Sequence, residues 1–205
     1  MGFYARRVLP YLINAAMKNK EATLLRGAWV PEARGRVLEI GIGSGLNLPF
    51  YSSEVECVVG VEPSAELQKM AEERAKRSNT KVEFLSQSAE DTLAVADESI
   101  DTIVMTWTLC SIADPMRALA QMKRVLRTNG RMLFIEHGKS CDAGVAAWQD
   151  RLTPVWKKIG GGCHLNRKID DLLGAAGFEI EELRTCYLPG PRPMTYTYQG
   201  FAKRA

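Results

Sequence analysis

The sequence predicts an α/β fold, a doubly wound and mostly parallel sheet closed by an antiparallel pair, and three observations carry that expectation. After a loop around Pro31, short runs rich in Val and Ile alternate with helix-periodic segments, the pattern of parallel strands joined by crossover helices. The first of these runs leads straight into three alternating glycines, Gly41, Gly43 and Gly45. The last two strand-like runs, residues 178–187 and 195–202, are separated only by the turn Leu188-Pro-Gly-Pro-Arg-Pro193, and so short a connection joins antiparallel neighbours.

A chain of 205 residues buries roughly 70 % of its unfolded surface around one core. No repeat, low-complexity segment or linker divides it. Residues 1–34 are expected to form a helical segment covering the site, and residues 35–205 the α/β domain.

From the N-terminus, Phe3, Val8, Leu12, Ala15, Ala16 and Met17 recur at helical spacing among basic residues, predicting an amphipathic helix over residues 3–20. Two readings of it stay open: packing on the domain, or peripheral attachment to a membrane. Arg6 and Arg7 before residues 8–17 superficially resemble a signal peptide, but Pro10 and Asn14 interrupt that run and no small-residue cleavage site follows. No apolar stretch reaches the about 18 residues that a membrane span requires.

Strands are then expected at residues 36–40, 57–61, 82–85, 100–105 and 131–136, which with the terminal pair makes seven. Helices are expected at 46–51, 65–77 and 115–126, the last closing at Asn129-Gly130. An insert, residues 143–174, contains the turn Gly160-Gly-Gly162 before a helix beginning near Asn166.

The charge pattern excludes one class of partner. The 27 Lys and Arg are interspersed with 24 Asp and Glu, leaving no basic stripe for DNA or RNA. Cys57, Cys110, Cys141, Cys163 and Cys186 are odd in number and lack a C-x-x-C pair. They are expected to be reduced thiols in a cytoplasmic protein, binding no metal.

The glycine loop carries the most chemistry. Glycines at 41, 43 and 45 allow a tight turn and let a ligand approach the backbone. Glu62 closes the next strand, about 20 residues after Gly41, where an acid accepts both ribose hydroxyls of a nucleoside. Dinucleotide enzymes favour G-x-G-x-x-G, which brings a pyrophosphate to a helix N-terminus. Here the pattern is G-x-G-x-G, with Leu46 where the last of those glycines would stand. Glu39, two residues before Gly41, would repel a pyrophosphate and attract the ammonium of a methionine moiety.

These landmarks resemble, in order, those of the class I S-adenosylmethionine-dependent methyltransferases, of the type 11 group similar to ubiquinone and menaquinone methylases. Glu39-Ile-Gly-Ile-Gly-Ser-Gly45 resembles that family's first motif, and Val61-Glu62-Pro63-Ser64 its ribose-binding strand. Ser88-Ala89-Glu90 falls where relatives contact adenine, although they often carry Asp at the Ser88 position. Thr106-Trp107-Thr108-Leu109-Cys110-Ser111 resembles the segment passing beneath the cofactor. The resemblance implies a Rossmann-like fold, S-adenosylmethionine as cofactor and S-adenosylhomocysteine as product. It also implies cofactor contacts from Glu39, Gly41, Gly43, Gly45, Asn47, Leu48, Glu62, Pro63, Ser88, Ala89, Glu90, Thr106 and Leu109.

The acceptor half is less defined. Residues 148–177, with Trp156, Gly162-Cys163 and Ala176-Gly177, resemble a subgroup that includes the microsomal alkyl-thiol methyltransferases, implying a small or lipophilic acceptor, with a thiol first and phospholipids or quinones open. A non-catalytic S-adenosylmethionine-binding module is the rival from another class. Methyl transfer from a sulfonium needs alignment and desolvation more than a strong base. His137 and His164, the two histidines, are the candidate catalytic groups. Trp107, Cys110, Trp156 and Tyr187 are expected to line the acceptor pocket, with Arg167 and Arg192 placed to hold an anionic head group.

Overall fold

The structure is a computed structural model that describes residues 3–205. Met1, Gly2 and the side chain of Phe3, which the predicted amphipathic stripe includes, lie outside the described residues.

Seven strands form one sheet: β1 (Gly35–Ile40), β2 (Val55–Val61), β3 (Val82–Leu85), β4 (Ile100–Thr106), β5 (Leu126–His137), β6 (Phe178–Tyr187) and β7 (Tyr196–Arg204). Their spatial order is β3-β2-β1-β4-β5-β7-β6. The first five run parallel, and β7 lies antiparallel between β5 and β6. This is the Rossmann-like arrangement the sequence predicts, with its C-terminal antiparallel strands.

Both faces of the central strands are covered, so their residues alternate between two cores rather than between core and water. Leu38, Ile40, Ile103, Met105, Met132 and Phe134 face one side, where α5 (Pro115–Val125) and α7 (Ile169–Ala175) supply Leu119, Met122 and Leu173. Val37, Val58, Val104, Leu133 and Ile135 face the other, covered by Trp29 of α3 (Lys20–Trp29) and, at its margin, by Ala75 of α4 (Ala65–Ala75). The helix starts carry the side-chain caps that their sequences foreshadow: Asn19 accepts from Ala22 N–H at 2.7 Å, and Asp114 from Arg117 N–H at 3.1 Å.

Three expected elements differ. The helix expected over residues 3–20 is two, α1 (Phe3–Arg7) and α2 (Leu9–Ala16), and α3 follows them. Pro10 has no N–H to continue a helix from Arg6 and sits instead in the first turn of α2, while Asn19 starts α3 with its cap. The helix expected at 46–51 is only a 3₁₀ turn, Leu48–Phe50, because Pro49 disfavours helical geometry at Leu48 and the buried Leu48 packs into the second core. Asn129-Gly130 closes no helix: α5 ends at Val125, and Leu126 already pairs with Ile100 as the first residue of β5.

The insert is mostly α6 (Ala143–Ile159), followed by the glycine turn and α7, which starts at Ile169 rather than near Asn166. α1 and α2 bridge the molecule. Arg7 pairs with Glu66 at 2.7 Å and Asn14 accepts from Arg74 at 2.9 Å on the α4 side, while Tyr4 donates to the Ile159 carbonyl at 3.1 Å on the α6 side.

Candidate active site

A cavity of about 750 Å³ opens at the carboxyl ends of the central strands, lined by their last residues Ile40, Val61, Thr106 and His137. The sheet order reverses between β1 and β4, and ligands of open α/β sheets bind at that switch point. Helices α2 and α3 contribute Leu9, Leu12, Ile13, Asn14 and Arg26 to the wall.

The three loop glycines have three different tasks. All adopt positive φ. A side chain at Gly41 would meet the Thr108 side chain at 2.5 Å, and one at Gly45 would meet the α4 backbone at Ala71 at 3.1 Å. A Cβ at Gly43 would meet only the Gly41 carbonyl, at 3.7 Å, so here the backbone borders open cavity that a ligand can fill. Gly45 serves the packing of α4 and does not line the cavity.

Glu62 ends the second strand buried, its Oε2 accepting from Gly43 N–H at 3.1 Å and its Oε1 from Ser64 N–H at 2.8 Å. Burial raises its pKa while those N–H groups oppose the rise. Each oxygen keeps a lone pair for a ligand hydroxyl.

Glu39 is 1 % exposed. Its Oε1 accepts from Asn47 Nδ2 and its Oε2 from the Tyr51 hydroxyl, both at 2.8 Å. Asn47 in turn accepts from Arg26 Nε at 3.0 Å and donates to Thr106 Oγ1 at 3.0 Å. Burial raises Glu39 to about 7 from an ordinary 4.5, against the pull of Tyr51, Asn47 and Arg26. Burial likewise brings Arg26 down to about 10, so it stays charged. Arg26 and Tyr51 escape sequence reasoning, since nothing local marks one arginine of a helix as buried.

This carboxyl gives a pH prediction. A ligand ammonium selects ionised Glu39, so binding releases a proton, and affinity falls up to about tenfold per unit as pH drops below about 7. In the free protein the sign is opposite: the folded state holds the extra proton, and stability declines as pH rises from the ordinary value towards 7. Calorimetric titration with S-adenosylmethionine between about pH 5.5 and 7.5 checks this, and Glu39→Gln is expected to flatten the slope. A flat wild-type curve removes Glu39 from the ammonium-binding role.

The floor of the site turns sharply after β4. Trp107 takes φ 52°, a conformation that costs a bulky residue about 1–3 kcal/mol unless its surroundings impose it. They do: Trp107 N–H donates to the Ile135 carbonyl at 2.7 Å, and the Arg26 guanidinium lies 4.9 Å from its ring centroid. Beyond it, the fully buried Glu136 accepts from three consecutive backbone N–H groups, Thr108 at 2.7 Å, Leu109 at 3.0 Å and Cys110 at 3.4 Å. The signal for Glu136 was present in the sequence, an acid ending the otherwise apolar run Leu133-Phe134-Ile135.

Cys110, Cys163 and His137 meet on the cavity wall. A hydrogen bond from Cys110 holds the Cys163 thiol below its usual range, and the same bond pushes the buried Cys110 well up. His137 Nε2 lies 3.4 Å from the Pro193 carbonyl, and its Nδ1 lies 4.0 Å from Cys163 Sγ. Burial lowers its pKa.

Of the expected cofactor contacts, Glu39, Gly41, Gly43, Asn47, Glu62, Pro63, Ser88, Ala89, Glu90 and Thr106 line this cavity, as do Trp107, Cys110, Trp156 and His137 from the acceptor and catalytic sets. Six others do not. Leu48 and Leu109 are core residues, 2 % and 0 % exposed. His164 commits both its backbone N–H and Nδ1 to the Cys110 carbonyl, at 2.8 and 3.3 Å. Arg167 donates to the Leu109 carbonyl, Tyr187 shares a hydrogen bond with the Ser140 hydroxyl, and Arg192 pairs with Asp142 at 3.3 Å. Each of these four polar residues is engaged by a local partner. Glu90 is partly committed too, accepting from Asp114 N–H and lying 3.2 Å from Ser88 Oγ.

Comparison with known proteins agrees with this fold. A family model described as Methyltransferase domain matches residues 38–134. Thiol S-methyltransferase TMT1B of Homo sapiens is 32 % identical over 187 residues, covering 87 % of this chain and 75 % of that protein. The match to the Rattus norvegicus protein of the same name spans only 55 % of its length. Phosphatidylethanolamine N-methyltransferase of Cereibacter sphaeroides is 30 % identical over 83 % of this chain and 81 % of its own. Among solved structures, a Thermotoga maritima S-adenosylmethionine-dependent methyltransferase, described as a possible histamine N-methyltransferase, superposes with TM-score 0.67 at 23 % identity over 98 % of both chains.

Proposed function

Since the chain belongs to the class I S-adenosylmethionine-dependent methyltransferases, related to the alkyl-thiol methyltransferases, we propose that it methylates a small lipophilic thiol. The cofactor supplies the methyl group as a sulfonium. Glu62 holds its ribose, Glu39 its ammonium, and the Gly41–Gly43 backbone lies against its body. Residues 1–34 cover the site and residues 35–205 form the catalytic domain, a division supported by the position of α2 and α3 on the cavity wall.

One observation carries the choice of acceptor. The charged side chains on the wall are Arg26, Glu39, Glu62 and Glu90, all among or beside the expected cofactor contacts. The other end is Leu9, Leu12, Ile13, Trp156, Leu165 and Met194, with Cys110, Cys163 and His137. Arg167 and Arg192, the cations that a phospholipid phosphate would need, are engaged elsewhere. An uncharged acceptor fits that wall, and a thiol, a stronger acid than an alcohol, is the neutral nucleophile more easily ionised there. The Cereibacter relative keeps a lipid amine as the second reading.

The deciding experiment incubates the purified chain with S-adenosylmethionine and, in parallel, octanethiol, phosphatidylethanolamine vesicles and a quinol, with mass spectrometry of the products. Methyl thioether as the main product is expected. Methylated lipid or quinol alone replaces the thiol reading, and cofactor binding without any product assigns a binding module instead.

A further inference from the structure

We propose that His137 is the general base of the reaction, locked in the one tautomer that presents an unprotonated ring nitrogen to the acceptor; this rests on the thiol reading above. The lock is the Pro193 carbonyl, 3.4 Å from Nε2. A carbonyl only accepts, so Nε2 carries the proton and Nδ1 the lone pair. The same carbonyl also accepts from the buried Gln149 Nε2 at 3.1 Å, which itself donates to the Gly138 carbonyl at 3.0 Å, so the acceptor that fixes the ring is itself fixed.

Nδ1 points to the cavity side. Its neighbour there is Cys163 Sγ at 4.0 Å, and both residues line the wall beneath Trp156, Leu165 and Met194. An acceptor sulfur entering that apolar end reaches the edge of the ring that a protein thiol now occupies. His137 lies at the end of β5, 6 % exposed. The titratable groups around it are Cys110 after β4, Cys163 on the glycine turn, and Glu136 and Arg167 behind them. With burial lowering its pKa the ring is neutral near pH 7 and free to take a proton. In the step proposed, the acceptor S–H bond breaks, its proton and positive charge pass to Nδ1, and the electron pair stays on sulfur as thiolate. The imidazolium later returns the proton to solvent. His164, with Nδ1 turned to the Cys110 carbonyl, has no such access.

The test uses His137→Gln, whose amide nitrogen can still donate to Pro193 but which has no basic atom. With weakly acidic octanethiol, kcat/KM near pH 7 is expected to fall about 100- to 10,000-fold. With strongly acidic 4-nitrothiophenol, already ionised in water, it is expected to change less than about tenfold. A second readout needs neither turnover nor cofactor. Thiophenol bound to the wild type about one pH unit below its own pKa shows the ultraviolet absorption of the thiolate, and thiophenol bound to the variant does not. In the wild type, nitrogen-15 NMR shows the His137 proton on Nε2. Equal losses for both thiols, an unchanged thiolate spectrum, or a proton on Nδ1 overturns the assignment. Wild-type protein that methylates no thiol at all defeats the thiol reading itself.

Discussion

Replacing Glu136 with alanine is expected to cost about 3–5 kcal/mol of folding stability, because it removes the shared acceptor of three backbone donors. Its carboxylate is the acceptor for the N–H groups of Thr108, Leu109 and Cys110 in a segment where Leu109 and Cys110 are 0 % and 3 % exposed. Each orphaned buried donor costs about 1–3 kcal/mol, and water entering the vacated space recovers part of it. For a domain of this size the melting temperature should drop by about 10–15 °C. Glu136→Gln keeps one acceptor oxygen and should lose about half as much. Burial, the largest cause, holds the Glu136 pKa well above the carboxylate range, so the folded state retains a proton that the unfolded chain releases. The advantage of wild type over the alanine variant therefore narrows as pH rises above the ordinary carboxylate value. Thermal unfolding at several pH values checks both statements. A loss under about 1 kcal/mol would mean that the loop finds other acceptors.

Glu62→Ala is expected to weaken S-adenosylmethionine binding by about 1–3 kcal/mol, roughly 5- to 150-fold, through loss of charge-assisted hydrogen bonds. The residue acts twice: it offers lone pairs to a ligand diol, and it ties Gly43 N–H and Ser64 N–H into one turn. Calorimetry with S-adenosylmethionine and with an analogue lacking the two ribose hydroxyls separates the two effects: a loss through the diol disappears with the analogue, whereas a loss through the turn persists. Full affinity in a folded Glu62→Ala protein would place the ribose elsewhere.

Much of this was legible because the chain states it locally. Short apolar runs mark every strand, β3 and β6 to the residue. The glycine loop with Glu39 and Glu62 names a nucleoside site without any knowledge of packing. What stayed hidden depends on contacts far apart in sequence. Arg26 becomes a site residue only when α3 folds back on Asn47, and Tyr51 only when its hydroxyl meets Glu39. Arg167, Arg192 and Tyr187 carry the right chemistry for an acceptor pocket, but Leu109, Asp142 and Ser140 engage them first. The junction of α5 and β5 misleads for a related reason. Asn129-Gly130 has the composition of a helix stop, yet the pairing of Leu126 with Ile100 had already begun the strand.

The placement of β7 between β5 and β6 has a consequence for how the protein is made. β7 follows β6 in the chain and separates it from β5, so neither neighbour can complete its ladder before residues 196–204 are available. Until then the growing chain presents two open edges, β5 with its buried Met132, Leu133 and Phe134 among them, and open apolar edges recruit other chains. A chain cut before Tyr196 is therefore more than a shortened protein: its sheet ends at β5, with an apolar edge open to other chains.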